Sequence, residues 1–197
     1  LTALFASEYG GQFGIMLPGL VKWGFPMPLG GTSNHFRTAI LRRVGGWDAF
    51  NVTEDADLGL RMARLHIRSA TTTARTYEEA PVTARAWFHQ RTRWMKGWMQ
   101  TFLVHNRRPV SLLRDLGWAN FLAFEIYVGG MILTPPLHTL YMAAVSLRLV
   151  LASLEMPGGD PLSLMEAFTL VVGYLSAIAL SVFGLIRLQR TQLIKYQ

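Results

Sequence analysis

The sequence predicts an α/β domain followed by interfacial and transmembrane α-helices. Three observations carry that expectation. The front half orders a helix start, a β-rich run and a long helix, the alternation of an α/β domain. The back half carries two runs, residues 126–147 and 167–186, of 22 and 20 residues without Asp, Glu, Lys or Arg. About 20 such residues cross a bilayer core of about 30 Å. Charge divides the chain at the same place. Residues 1–115 hold 15 Lys/Arg against 8 Asp/Glu, whereas 116–197 hold 4 of each. Only 16% of all residues are charged, where a soluble domain carries about 25%. The chain therefore divides into a basic, water-facing part, 1–115, and an apolar membrane part, 116–197. It has no cysteine, which excludes disulfides and Cys-based metal sites.

Taken in order, residues 1–10 have helical spacing, with Leu4, Phe5 and Tyr9 on one side. Residues 11–29 are rich in Gly, Pro and large apolar residues and predict no regular element. Residues 29–37, LGGTSNHFR, have two readings. They form a plain loop before a helix, or a loop whose free backbone N–H groups let a ligand come close. Residues 38–44 predict a short helix stopped by Gly45-Gly46.

A longer helix follows. Thr53 is its N-cap, and Glu54, Asp55 and Asp57 fill its first turn, where the partial positive charge of a helix start favours acids. Leu58, Met62 and Leu65 make its buried stripe, and Asp57 and Arg61 form an i, i+4 pair. The acids have a plain reading, as helix-capping charges, and a sharper one. In the sharper one Asp55, at the second helical position, projects into a cleft as a general base. Residues 68–77, RSATTTARTY, predict a strand, ended by Glu78-Glu79-Ala80-Pro81.

The helix over 84–105 holds the densest chemistry. Gln90, Arg93 and Trp94 stand at i, i+3 and i+4 and share one face. That face offers an amide, a guanidinium suited to phosphate, and an indole suited to the apolar face of a sugar or base. Trp87, Met95, Trp98 and Phe102 provide bulk for an interfacial position. For Trp87 and Trp98 membrane or core packing is the preferred reading, and His89 and His105 read as interfacial rather than catalytic. Asn106-Arg107-Arg108-Pro109 closes the helix.

In the membrane part, Gly129-Gly130 and Pro135-Pro136 interrupt the first apolar run, which predicts a kink or an interfacial portion. Arg107, Arg108 and Arg114 precede it, and Arg187, Arg190 and Lys195 follow the second run. The linker over 155–161 has two acids and no basic residue. Positive charge marks the cytoplasmic side, so both ends are expected in the cytoplasm and the linker outside. The location implied is the plasma (inner) membrane, multi-pass, with the catalytic part cytoplasmic. The competing account, two buried core helices of a soluble protein, fits runs of this length poorly.

A base candidate, a Gly-rich polar loop and a basic Trp-rich helix beside a membrane span together suit attack of a sugar hydroxyl on a nucleotide-sugar. Thr53-Glu54-Asp55 resembles the T-E-D motif, and Gln90-Arg91-Thr92-Arg93-Trp94 the Q-x-x-R-W motif, of processive membrane family-2 glycosyltransferases of the cellulose, chitin and hyaluronan synthase type. Residues 30–37 resemble the loop that precedes T-E-D in that family. The resemblance implies that residues 1–115 are the C-terminal half of a Rossmann-like nucleotide-sugar transferase domain. It makes Asp55 the general base. Gln90 and Arg93 hold the nucleotide diphosphate, and Trp94 stacks on the terminal sugar. Glu54 and His35 join them as substrate-side residues. The implied partners are a nucleotide-sugar, a UDP-sugar first, a polysaccharide acceptor and the lipid bilayer. The resemblance also implies a divalent metal, Mg2+ or Mn2+, held by a D-x-D motif. The nearest acidic cluster, Glu54-Asp55-Ala56-Asp57, is already used by T-E-D, and no separate D-x-D stands upstream of it in these residues. The expectation is therefore a fragment that does not turn over alone, with no metal ligand of its own.

Two other classes compete. A non-enzymatic basic membrane-surface protein would account for the Arg/Trp helix, but not for T-E-D at a helix start. Nucleic-acid binding is disfavoured, because the basic residues are dispersed and carry no recognition motif.

Overall fold

The computed structural model describes residues 2–72, 74, 76, 78–155 and 162–193. Helix α1 (Thr2–Gly11) runs through a π turn, Gln12–Met16, into α2 (Leu17–Trp23). The Gly- and Pro-rich stretch for which the sequence predicted no element is thus helical as far as Trp23. Pro18 falls in the first turn of α2, where a missing N–H costs least. Helix α3 (Thr38–Val44) ends at Gly45 in the left-handed conformation, as the Gly-Gly stop predicts. Then come α4 (Glu54–Arg64), α5 (Ala84–His105), α6 (Pro109–Leu116) and α7 (Trp118–Phe124). A second π turn, Glu125–Gly129, joins α7 to α8 (Gly130–Ser153), and α9 (Leu164–Leu193) follows.

The α/β expectation is overturned. Among the described residues there is no strand and no sheet, so this chain does not show half of a Rossmann-like domain. The run over 68–77 shows why. Its threonines favour a pleated surface, but that preference depends on neighbours to pack against, and a strand needs a partner's ladder bonds. The described residues offer no partner, and the run is irregular chain; Thr73, Arg75 and Tyr77 lie outside the described residues. Thr76 and Glu78 instead bond to the side chains of Ser33 and Thr32.

Helix α4 is packed on two sides. Leu58 and Met62 join Val44 of α3, with Phe36, Ile40 and Leu41 beside them. Leu60 joins Leu112 and Leu116 of α6 and Phe124, Val128 and Ile132 beyond, with Met95, Trp98 and Phe102 of α5 against them. Leu58 and Met62 are buried as predicted, but Leu65 is 40% exposed and Leu60 takes its place in the core. A helix with a layer on each flank buries more than one stripe, and its last turn fits neither.

Two helical stretches, Trp118–Ser153 and Leu164–Arg187, are long and apolar enough to cross a membrane. The first starts earlier than the uncharged run, and neither Gly129-Gly130 nor Pro135-Pro136 breaks it. Membrane helices tolerate such residues where neighbours re-satisfy the backbone. Large apolar side chains along α9, among them Phe168, Leu175, Ile178 and Phe183, are exposed, whereas the core helix of a soluble protein buries such a face. His138 Nε2 lies 3.3 Å from the Tyr174 hydroxyl, and Arg148 pairs with Glu166 at 2.7 Å, tying α8 to α9. Residues 156–161 of the linker lie outside the described residues. Helix α1 packs along α9 at a glycine contact. A Cβ on Gly184 would stand 2.3 Å from the Gly10 carbonyl carbon, so only small residues allow the approach.

Candidate active site

The start of α4 is docked onto α5. Gly97 is buried against Thr53, and a Cβ there would stand 2.5 Å from the Thr53 side chain and 2.8 Å from its backbone N. One turn on, Thr101 Oγ1 accepts from Asn51 Nδ2 at 2.8 Å. Asn51 Oδ1 in turn accepts the Thr53 N–H at 3.0 Å. Gln100 Nε2 donates to the Phe50 carbonyl at 2.9 Å. Thr53 precedes α4 as predicted, but its hydroxyl makes no capping bond to the helix; the close approach of Gly97 leaves it against Asn51. Gln90, Trp94, Gly97, Thr101 and His105 follow at helical spacing, so one stripe of α5 carries both the dock and the Gln90–Trp94 face.

Asp55 sits at the second position of α4, half-buried. Burial pushes its carboxyl above the ordinary value; the Ala56 N–H bond to Oδ1, 2.8 Å long, works against this, and the Glu54 charge adds to it. Glu54 is also half-buried. The Gly30–His35 loop lies over Asp55, with the Cβ position of Gly31 at 3.4 Å from Oδ2. Within the loop the Asn34 amide donates to the Gly30 carbonyl, and Ser33 adopts φ 60°. His35 is exposed and donates from Nδ1 to the Ser33 carbonyl at 3.1 Å. The contacts of Thr76 and Glu78 close the loop from the other side.

Gln90 and Trp94 are half-buried, whereas Arg93 is exposed and has no partner among the described residues. Gln90 Oε1 is buried without a hydrogen bond, a costly state for an acceptor that nothing fills. Arg91, to which the sequence reading assigned no role, organises this face. It forms a two-pronged pair with Glu8 of α1, Nη1 to Oε1 at 2.7 Å. Its guanidinium also lies 4.7 Å from the Trp94 ring and 5.6 Å from Trp87. One face of the Trp94 indole is therefore already covered.

Phe5 and Tyr9 of α1 and Phe13 of the π turn form an aromatic ladder, at 4.1 and 5.1 Å between centroids. Burial, and then the Glu78 charge, push the Tyr9 hydroxyl up to about 12, with Arg91 opposing and Glu8 and Asp55 adding. Tyr9 thus shares one electrostatic neighbourhood with Asp55, Glu78 and Arg91. Its i, i+4 spacing with Phe5 and Phe13 was legible in the sequence, but its nearness to residues so far along the chain was not.

Behind the site, Asp57 Oδ2 accepts from Arg61 at 2.7 Å and Oδ1 faces His105 Nε2 at 2.8 Å. Arg64 lies 3.2 Å from His105 Nδ1 and pairs with Asp115 at 2.9 Å from Nε. Arginine only donates, so Nδ1 of His105 accepts and Nε2–H donates to Asp57. Burial raises the Asp57 carboxyl, but the His105 and Arg61 bonds and the Arg61 charge outweigh it and hold it below the ordinary value. Arg61 also donates to the Val44 and Gly46 carbonyls at 2.9 and 2.7 Å, holding α3 to α4. The predicted Asp57–Arg61 pair is present. His105 is not interfacial; it is 5% exposed, because an Asp57 carboxylate inside the fold needs its bond. Trp98 packs in the core against Tyr127 at 6.5 Å, and His89 is exposed.

The implied divalent cation finds no fit among the described residues, which hold no group of three His, Asp or Glu side chains able to bind one. Both Asp57 oxygens are engaged, so the acids at the start of α4 do not converge. No step below passes through a metal.

A half-buried carboxylate at a helix start, docked against a helix that presents an amide, a guanidinium and an indole, is compatible with a transferase acting on sugars. The comparison with known families names it. Residues 2–183 match the model of glycosyl transferase family group 2, and the chain belongs to that family. It is similar to the probable glycosyltransferase YdaM of Bacillus subtilis (strain 168), with 38% identity over 78 residues. Those residues are 39% of this chain and 18% of that protein, so the chain matches less than a fifth of its relative's length. No solved structure matches.

Proposed function

We propose that this chain is the acceptor-side part of a processive, inverting membrane glycosyltransferase. It helps move a sugar from a nucleotide-sugar, a UDP-sugar first, to the hydroxyl end of a growing polysaccharide. The observation that carries the proposal is the dock through Gly97 and Thr101, which locks Asp55 to the helix bearing Gln90, Arg93 and Trp94. Asp55 takes the acceptor hydroxyl proton. The hydroxyl oxygen bonds to the anomeric carbon as the bond to the diphosphate oxygen breaks on the opposite face, which inverts the centre. A raised carboxyl suits a general base, because such catalysis is best with a pKa near the working pH.

Arg93, exposed and without a partner among the described residues, and the Gln90 amide, donating from Nε2, take the departing diphosphate. Trp94 holds the acceptor sugar on the indole face that Arg91 leaves open. Glu54 and His35 border the same space. Helices α8 and α9 hold the chain in the plasma membrane as a multi-pass protein, with the site on the cytoplasmic side.

The test uses the whole protein that contains this chain, expressed in membranes and supplied with radiolabelled UDP- and GDP-sugars. Labelled polymer is expected, with Asp55→Asn lowering its rate by about 10²- to 10⁴-fold. Undiminished polymer from Asp55→Asn would remove the base assignment.

A further inference from the structure

A second cavity, of about 570 Å³, lies between the end of α2, the end of α4 and α7. Lys22, His66 and Arg68 line it together with Trp23, Gly24 and Asn120, and no Asp or Glu does. None of Asp55, Gln90, Arg93 or Trp94 reaches it. Lys22, His66 and Arg68 are exposed, and neither Lys22 nor Arg68 has an acidic partner among the described residues. In a chain whose described residues include four arginine–carboxylate ion pairs, a cavity with cations alone favours an anion.

The rim points to the source of that anion. Asn120 belongs to the first turn of the helix that starts at Trp118 and is apolar enough to cross a membrane. Trp23 and Trp118 are 73% and 69% exposed, and exposed tryptophans of this kind settle at the headgroup level of a bilayer. Cations beside such a helix end attract acidic headgroups. His66 itself holds φ 57°, a backbone state uncommon for a non-glycine residue, which turns the chain out of α4 so that Ile67 and Arg68 line the same wall.

We infer that this cavity binds a phosphate-bearing anion at the membrane border, namely the headgroup phosphate of an acidic phospholipid. The Lys22 ammonium and Arg68 guanidinium pair with the phosphate, and Trp23 lies at the level of the glycerol. The inference does not depend on the transfer chemistry proposed above.

Native mass spectrometry of the whole protein, released from phosphatidylcholine nanodiscs doped with phosphatidylglycerol, tests it. The wild type is expected to retain phosphatidylglycerol over phosphatidylcholine. The K22A/R68A double variant is expected to bind it roughly 30-fold more weakly, from two lost charge contacts. The R107A/R108A variant, which removes two exposed cations outside the cavity, is the control. An equal loss in R107A/R108A overturns the site, since general surface charge then suffices. Folding is checked by thermal unfolding, and K22Q/R68Q replaces a double variant that does not fold. Inorganic phosphate is the second arm. If it binds the wild type in detergent, loses affinity in the double variant and displaces no lipid, a soluble anion occupies the cavity and the lipid assignment is overturned.

Discussion

Asp55 and Asp57 stand two residues apart and are shifted in opposite directions. The difference lies in their partners. Asp55 has burial and only backbone N–H groups, its own and that of Ala56, whereas Asp57 has a histidine and an arginine. A raised carboxyl costs stability once pH rises through its folded value, because the folded state then holds a desolvated charge. Asp55→Asn removes that cost, so its Tm near neutral pH is expected to rise while transfer falls. The acid limb of the pH–rate profile of the wild type is expected above 3.8, the ordinary value for this group. A variant that loses both activity and Tm would mark Asp55 as structural.

Asp57 has the reverse sign. Its folded value lies below 3.8, so its contribution is full above the unfolded value and is lost as pH falls through the folded one. Asp57→Asn removes the charge and leaves either Arg61 or His105 facing an NH2 group in place of an acceptor, and is expected to cost about 3 kcal/mol, as breaking a buried pair does. The Tm of the wild type should then fall more steeply than that of Asp57→Asn as pH drops below 3.8. Equal slopes would show that Asp57 does not carry this acid sensitivity.

At the scale of elements, the register of α4 on α5 sets where Asp55 stands relative to Gln90 and Trp94. Gly97 sets it by having no side chain where Thr53 passes. Gly97→Ala is expected to destabilise by about 1–3 kcal/mol, since backbone and side chain of Thr53 must both shift. It should also lower transfer by more than the loss of folded protein explains, because α4 is pushed away from α5. Measuring specific activity per folded molecule separates the two effects. A Gly97→Ala variant with wild-type Tm and activity would mean that the dock tolerates movement.

At the scale of the whole molecule, α8 and α9 present an apolar surface that water does not suit, and the charges at their ends support the proposed orientation. Because the chain has no cysteine, single substitutions report topology cleanly. In intact cells, Glu155→Cys is expected to react with a membrane-impermeant maleimide. Arg107→Cys should react only after lysis. Reaction of Arg107→Cys from outside, with Glu155→Cys reacting only after lysis, would reverse the proposed orientation.

Local pattern was enough for several features. The T-E-D and Q-x-x-R-W strings, the Gly45 stop, the Asp57–Arg61 pair and the two apolar helices all depend on neighbours within a turn or on length and composition, so the sequence by itself determined them. Other features were decided only in three dimensions. The strand over 68–77 failed because a strand is a property of a pair. Helix α1 ran on to Trp23, and its Glu8 reached Arg91 across 83 positions of chain. His105 moved from a supposed interface to the core because Asp57 needed it there. Each depends on which distant segment lies alongside, and a one-dimensional pattern does not encode that. The sequence determined which side chains α4 and α5 carry, and only the tertiary structure decided that the start of α4 docks on α5 through Gly97 and Thr101.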